Sequence, residues 1–334
     1  MTGSVTIGSG AGIVKFGGDD YANAVLVGVG NSVATGSNGS LTINGGTVSL
    51  LGTAGNKATS LSIGGEINTT AGTGTVTVNG GSLNVGARIL MGFNDAAANG
   101  TLTIAGGTVT LGTNKGATAY GASGANAGNI LMGIGTTVVN LNSGTLKVYQ
   151  FQAGTGTNRT INFNGGTLVA LGTPNFFLGN NGDTGNAANA ASTLFTTKVK
   201  AGGAIIDTNT FNITIPTALV EDTGSTGGGL TKLNTGTLTL SGANTYTGDT
   251  TVHLGTLSLV GPYLADASDV ALGNTATLDL QFAATDTVDK LFINGVQQAD
   301  GTWGASGNLA ADHTSPRITG SGLLDVTTGP PSEC

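Results

Sequence analysis

GTLTIAGGTVTLG, residues Gly100 to Gly112, is the stretch whose reading decides the fold. Leu102 and Ile104 alternate with Thr101 and Thr103, and beyond Gly106-Gly107 the pattern resumes with Val109 and Leu111 set between threonines. Neighbouring residues on a strand point to opposite faces, so the aliphatic side chains share one face and the hydroxyls the other. The glycine pair can take positive φ without a Cβ clash, which lets the chain turn sharply between the two runs. The segment reads as two short strands and a corner.

It is not alone. GSLTINGGTVSLLG at Gly39 to Gly52 and GTVTVNGGSLNVG at Gly74 to Gly86 repeat it closely, and VVNLNSGTLKV from Val138 and TINFNGGTLVA from Thr160 repeat it loosely. Such self-similarity marks repeat architectures. Asn44-Gly45 and Asn79-Gly80 are also type I′ turn signals, so an array of β-hairpins competes with a coil. A third recurring element decides between them: AVLVG ending at Gly28, SLSIG at Gly64, RILMG at Gly92, NILMG at Gly133 and NFFLG at Gly179. A hairpin array has no reason to keep three strands per unit, whereas a parallel coil buries one inward row from each of three faces. The inserts of varying length between these pieces, such as Asn94 to Asn99 and Gly179 to Gly202, fall where a solenoid carries its loops. The fold expected is all-β: a parallel β-helix, or β-solenoid, with three strands per coil and variable loop inserts.

Composition agrees and excludes other classes. Of 334 residues 38% are hydrophobic and 9% charged, which suits a packed core and not disorder. Gly reaches 60 with only 6 Pro and no G-X-Y period, so the chain is not collagenous. The net charge is −7 and the 11 basic residues are scattered singly, so nucleic acid is not an expected partner. No run of about 20 apolar residues occurs, so this chain is not expected to insert into a membrane as a helix. Cys334 is the only cysteine, so no intrachain disulfide forms; a bond to another chain and a truncation scar are equal readings of it. MTGSVTIGSG enters strand-like sequence at once and carries no signal-peptide pattern.

Residues Gly228 to Leu259, GGLTKLNTGTLTLSGANTYTGDTTVHLGTLSL, resemble the autotransporter-associated β-strand repeat of bacterial surface and secreted passengers. The Leu-Thr-Lys entry, GTLTLSGANTYTG and the closing GTLSL stand in the order of that repeat. Asp249 and His253 depart from it, at positions that should face solvent. VDKLFINGVQQADGTWGASG from Val288 looks more loosely like the end region of large surface proteins that carry such repeats. The resemblance implies export to the cell surface or extracellular space, a right-handed β-helix and a role in adhesion, matrix or display, and it supplies no catalytic residues. Residues 1–283 are read as the β-helix body, with the repeat at 228–259, 284–326 as a closing β segment and 327–334 as a polar tail.

Candidate chemistry is thin. Asp19-Asp20 and Glu221-Asp222 are adjacent pairs whose members point to opposite faces, so neither converges on one bond as a polysaccharide-active β-helix would need. His253 sits outward between Val252 and Leu254, and His313 lies in a loop-like AADHTSP stretch; neither has a nucleophile and orienting acid beside it. GGDD at Gly17 to Asp20 lacks the repetition of a calcium-binding nonapeptide. Thr101 with Thr103 and Thr108 with Thr110 could form a flat ice-binding or carbohydrate-binding face, yet outward Thr is the ordinary strand surface. Tyr120, Tyr149 and Tyr246 are too sparse for a sugar platform. No catalytic, cofactor or metal residue is assigned and no enzyme is expected. The expected role is a non-catalytic extracellular stalk or fibre subunit. A glycan-binding adhesin is second and a polysaccharide-active enzyme third. Every coil exposes backbone donors and acceptors at its two ends, and no capping segment is recognisable, so either the chain is a piece of a longer passenger or further copies stack head to tail; a glycan or cell-surface ligand held by loops is the other partner pointed to.

Overall fold

The computed structural model describes residues 2–8, 13–16, 25–27, 37–50, 60–65, 72–92, 95–112, 128–154, 158–174, 177–181 and 195–331. The chain divides into two compact units, Met1–Asn162 with Gly166–Thr196, and Phe163–Gly165 with Thr197–Cys334. No helix occurs among the described residues.

In the first unit the repeated segment is stacked, not folded on itself. Asn99–Ile104 pairs in parallel with Gly72–Val78 on one side and Thr136–Leu141 on the other, and Ser37–Ile43 and Thr2–Ile7 continue the sheet. Thr108–Leu111 pairs in parallel with Ser82–Val85 and with Thr145–Val148, within a second sheet that also holds Ile13–Phe16, Thr47–Leu50 and Thr167–Ala170. The third sheet is built from Val25–Val27, Leu61–Ile63, Ile89–Met91, Asn129–Met132, Gln150–Ala153 and Leu178–Asn181. The hairpin alternative fails because each strand bonds to its counterpart one coil away: Ser82 N donates to Gly46 O (2.8 Å), Thr108 N to Gly81 O (2.9 Å) and Thr145 N to Gly107 O (2.9 Å).

This parallel β-helix has three strands per coil here, and its core is made of columns. Leu41, Val76, Leu102 and Val139 are in register, as are Ile43, Val78, Ile104 and Leu141, and all are buried. Val48, Leu83, Val109 and Leu146 form the matching column of the second sheet. Each inward side chain is covered by the coil above and below, so burial is a property of the stack. Outside, the side chains form ladders: Asn79 Nδ2 donates to Asn44 Oδ1 (2.8 Å), Asn140 Nδ2 to Thr103 Oγ1 (3.1 Å) and Asn162 Nδ2 to Asn140 Oδ1 (2.7 Å).

The third sheet breaks the alternation. Ile89, Leu90 and Met91 are all buried, and so are Ile130, Leu131 and Met132, so both faces are covered. Its strands therefore read as continuous apolar runs, as strands buried on both faces do. Arg159 is also fully buried; its guanidinium donates to Met132 O (2.7 Å), Gly133 O (3.1 Å) and Gly154 O (2.7 Å), the carbonyls at the ends of two third-sheet strands. Desolvation lowers its pKa to about 10.

The second unit winds differently. Ala204–Asp207, Leu230–Leu233, Thr250–Val252, Val270–Leu272 and Leu291–Ile293 form one parallel sheet, and Ile213–Ile215, Thr237–Leu240, Thr256–Leu259, Thr277–Leu280 and Ile318–Gly320 form another. A third strand, Leu219–Glu221, precedes Leu230–Leu233, but in the next coil a turn stands in its place. There Thr245 makes a single parallel bridge to Val220, and Asn244 Oδ1 accepts from Leu219 N (2.9 Å), a side chain standing in for a strand carbonyl. The first of these sheets ends in a hairpin, where Val296–Gln297 folds back antiparallel onto Leu291–Ile293. Beside it, Gly301–Ala305 runs antiparallel to Leu323–Val326. No cap is recognisable from the residues alone, yet this closing region ends that parallel sheet with a two-residue antiparallel strand, a short edge of the kind that blunts edge-to-edge pairing. The expected loop between Asn180 and Ala201 contains the strand Thr196–Val199, and residues 182–194 lie outside the described residues.

Candidate functional site

The side chains singled out from the sequence are dispersed. Glu221 ends the strand Leu219–Glu221 and accepts from the Thr247 hydroxyl and from Gly227 N (3.0 Å), contacts that lower its pKa. Asp222 is buried, which pushes its pKa up; Gly224 N (2.9 Å) and the ammonium groups of Lys198 (3.4 Å) and Lys200 (3.9 Å) outweigh that and hold it low. The two carboxylates thus serve different neighbours. His253 and Asp249 are exposed; the Asp249 carboxylate accepts from Asp269 N (2.9 Å) on the following coil.

His313 does not lie in a loop. It opens the strand His313–Ser315, stacks on Trp303 with ring centroids 4.8 Å apart, and its Nε2 is 3.0 Å from Asp300 O. The pairing of that strand with Gly301–Ala305 comes from the tertiary fold, and AADHTSP carries no alternation to announce it. Tyr246 is a core residue, its hydroxyl 2.8 Å from Thr250 Oγ1, and burial raises its pKa. Tyr149 lies against Gly172, and the Thr101/Thr103 and Thr108/Thr110 hydroxyls occupy half-buried outward columns. Asp19-Asp20, the GGDD stretch, Tyr120 and Cys334 lie outside the described residues.

The group that sequence reading passes over is Lys232. It belongs to the Leu-Thr-Lys entry and takes an inward position, in register between Ile206 and Val252 where the column is otherwise aliphatic. Its side chain is fully buried. The ammonium crosses to the corner and donates among Thr208 Oγ1 (3.0 Å), Leu233 O (3.2 Å), Asn234 O (2.5 Å) and Leu254 O (2.9 Å). Asn234 sits at φ 62°, in the left-handed region that Asn tolerates, and its carbonyl is one of those the ammonium holds. Desolvation lowers the Lys232 pKa to about 8, against the attraction of nearby Asp207. Alternation alone identifies the inward position; nothing local shows that carbonyls from two coils converge there.

The arrangement pins three successive corners with one cation, at Thr208, at Leu233 and Asn234, and at Leu254. Replacing Lys232 by alanine is expected to cost about 3 kcal/mol, because it leaves a void and buried carbonyls without their donor. Chemical denaturation with a probe in the second unit measures this; a loss under about 0.5 kcal/mol would rule out the pinning role.

The passenger-associated-transport-repeat family matches residues 230–259, a segment of two successive coils that contains Lys232, Asn244 and Tyr246. No curated protein and no solved structure matches the chain. Residues 230–259 are thus a passenger-associated transport repeat set within parallel β-helical stacks, and that repeat family implies export to the cell surface or the extracellular space.

Proposed function

We propose, from the premise that the chain carries a passenger-associated transport repeat on stacked parallel coils, that it is a non-catalytic extracellular structural element, a surface stalk or fibre subunit. The observation that supports this most is the in-register column: Ile43, Val78, Ile104 and Leu141, with the corner amides bonded to the preceding corner, tie each coil rigidly to the next. Head-to-tail association of copies is the partner relation that suits a stack of parallel coils. The antiparallel hairpin at Ile293 and Val296 narrows it, since that sheet offers only a two-residue strand for addition and the contact must use other strands. Electron microscopy of the purified protein tests it. Regular filaments are expected, and dispersed particles at every concentration would overturn the association.

A glycan-binding adhesin is the second reading. It draws on the outward columns of Ser40, Thr75 and Thr101 and of Thr42, Thr77 and Thr103, which stay in register despite the inserts. Hydroxyls at a regular strand spacing of about 4.8 Å could follow a sugar chain. Binding on a glycan array that is lost in Thr75→Val/Thr101→Val would favour it over the structural reading.

A further inference from the structure

One buried carboxylate in the second unit has no counter-ion among the described residues. Asp286 lies on the strand Thr285–Val288, is 3% exposed, and takes the inward position opposite Leu324, with Val288 and Val326 as the next inward pair. Its Oδ2 accepts from Leu264 N (3.1 Å), and the backbone amides of Thr287 and Tyr263 complete a cradle around it. No described Lys, Arg or His comes within ion-pair distance. The ionisable groups that face it are Asp266, on the same turn as Leu264, and Tyr246 of the matched repeat. Asp325 on the neighbouring strand pairs with Thr287 and shares the opposite face.

Asp286 therefore ties together three segments: its own strand Thr285–Val288, the turn at 260–268 and the closing strand Leu323–Val326. We infer that Asp286 is a proton-controlled latch, holding the turn and the closing strand to the strand Thr285–Val288 more firmly in mild acid than at neutral pH. A buried carboxyl needs no counter-ion when neutral, whereas its charged form faces the Asp266 carboxylate in a site of low polarity. The amide donors hold either form, so the latch weakens without letting go.

Burial, with Asp266 adding to it, pushes the Asp286 pKa up to about 6. A folded-state pKa above that of the unfolded chain means stabilisation that is full below about pH 4 and is lost as pH rises through about 6. Hydrogen exchange at 260–268 and 285–288, corrected for intrinsic rates, tests this between about pH 4.5 and 7.5. Protection in the parent is expected to fall by about 25-fold over this window, the part of the roughly 100-fold carried by about two pH units that lies above pH 4.5. Asp286→Asn, which keeps an acceptor and never charges, should hold one level of protection at both pH values. Asp266→Asn should keep the transition and move its midpoint to lower pH, and Asp325→Asn should leave the profile unchanged. A pH-independent parent, an Asp286→Asn protein with the parent's profile, or a profile abolished by Asp325→Asn would overturn the latch.

Discussion

Ile104→Asp is expected to unfold the first unit's stack. Ile104 is fully buried in a column between Val78 and Leu141, so a carboxylate there would stand among aliphatic side chains and out of solvent. Losing an aliphatic side chain of this size costs about 2 to 5 kcal/mol, and a buried unpaired charge adds several more. Against a typical total of about 5 to 15 kcal/mol, the change removes most or all of the stability. Thr103→Asp, one residue away and half-buried on the outer face, is the control and should cost no more than about 0.5 kcal/mol. Circular dichroism melts compare the two. An Ile104→Asp protein that melts within a few degrees of the parent would reverse the assignment of inner and outer faces.

Gly107→Val should be nearly as severe, through the backbone. Gly107 sits at φ 66°, where an ordinary side chain costs roughly 1 to 2 kcal/mol. Here a Cβ would also stand 2.5 Å from Gly81 O, the carbonyl that accepts the Thr108 amide, so the substitution opens the corner it occupies. Together these should cost about 4 kcal/mol or more, beyond the usual range for a single change. Gly227→Ala separates the two causes. Its φ is 81° but a Cβ there meets nothing within 4 Å, so only the backbone cost of about 1 kcal/mol is expected. Equal losses at both sites would mean that corner stacking contributes nothing.

Both predictions rest on features visible in the sequence, and their visibility has a physical source. Inward and outward faces follow from alternation at Thr101 to Ile104, which is a local property of extended backbone. The corners follow from glycine pairs, because so few residues tolerate positive φ. The repeat at 230–259 is recognisable for the same reason, as its order of Leu-Thr-Lys, GTLTLSGANTYTG and GTLSL is contiguous. His313 is misplaced by sequence reading because its strand exists only through pairing with Gly301–Ala305. Lys232 and Asp286 escape it as structural groups, since alternation tells which face a side chain takes and not which atoms lie behind it.

The amino-acid sequence alone thus determined the strand and corner rhythm, the inward columns and the passenger-type repeat, all of them set by neighbours close along the chain. The third recurring strand already chose a coil over hairpins, and the tertiary structure supplied the bond that makes Asn79-Gly80 a corner, Ser82 N to Gly46 O of the preceding coil. Tertiary structure alone decided that the coil at the matched repeat exchanges a strand for the side chain of Asn244, and that ionisable groups such as Arg159, Lys232 and Asp286 are buried. Hydrogen-bond partners and burial are set by which coil lies above and below, and that is information no single coil contains.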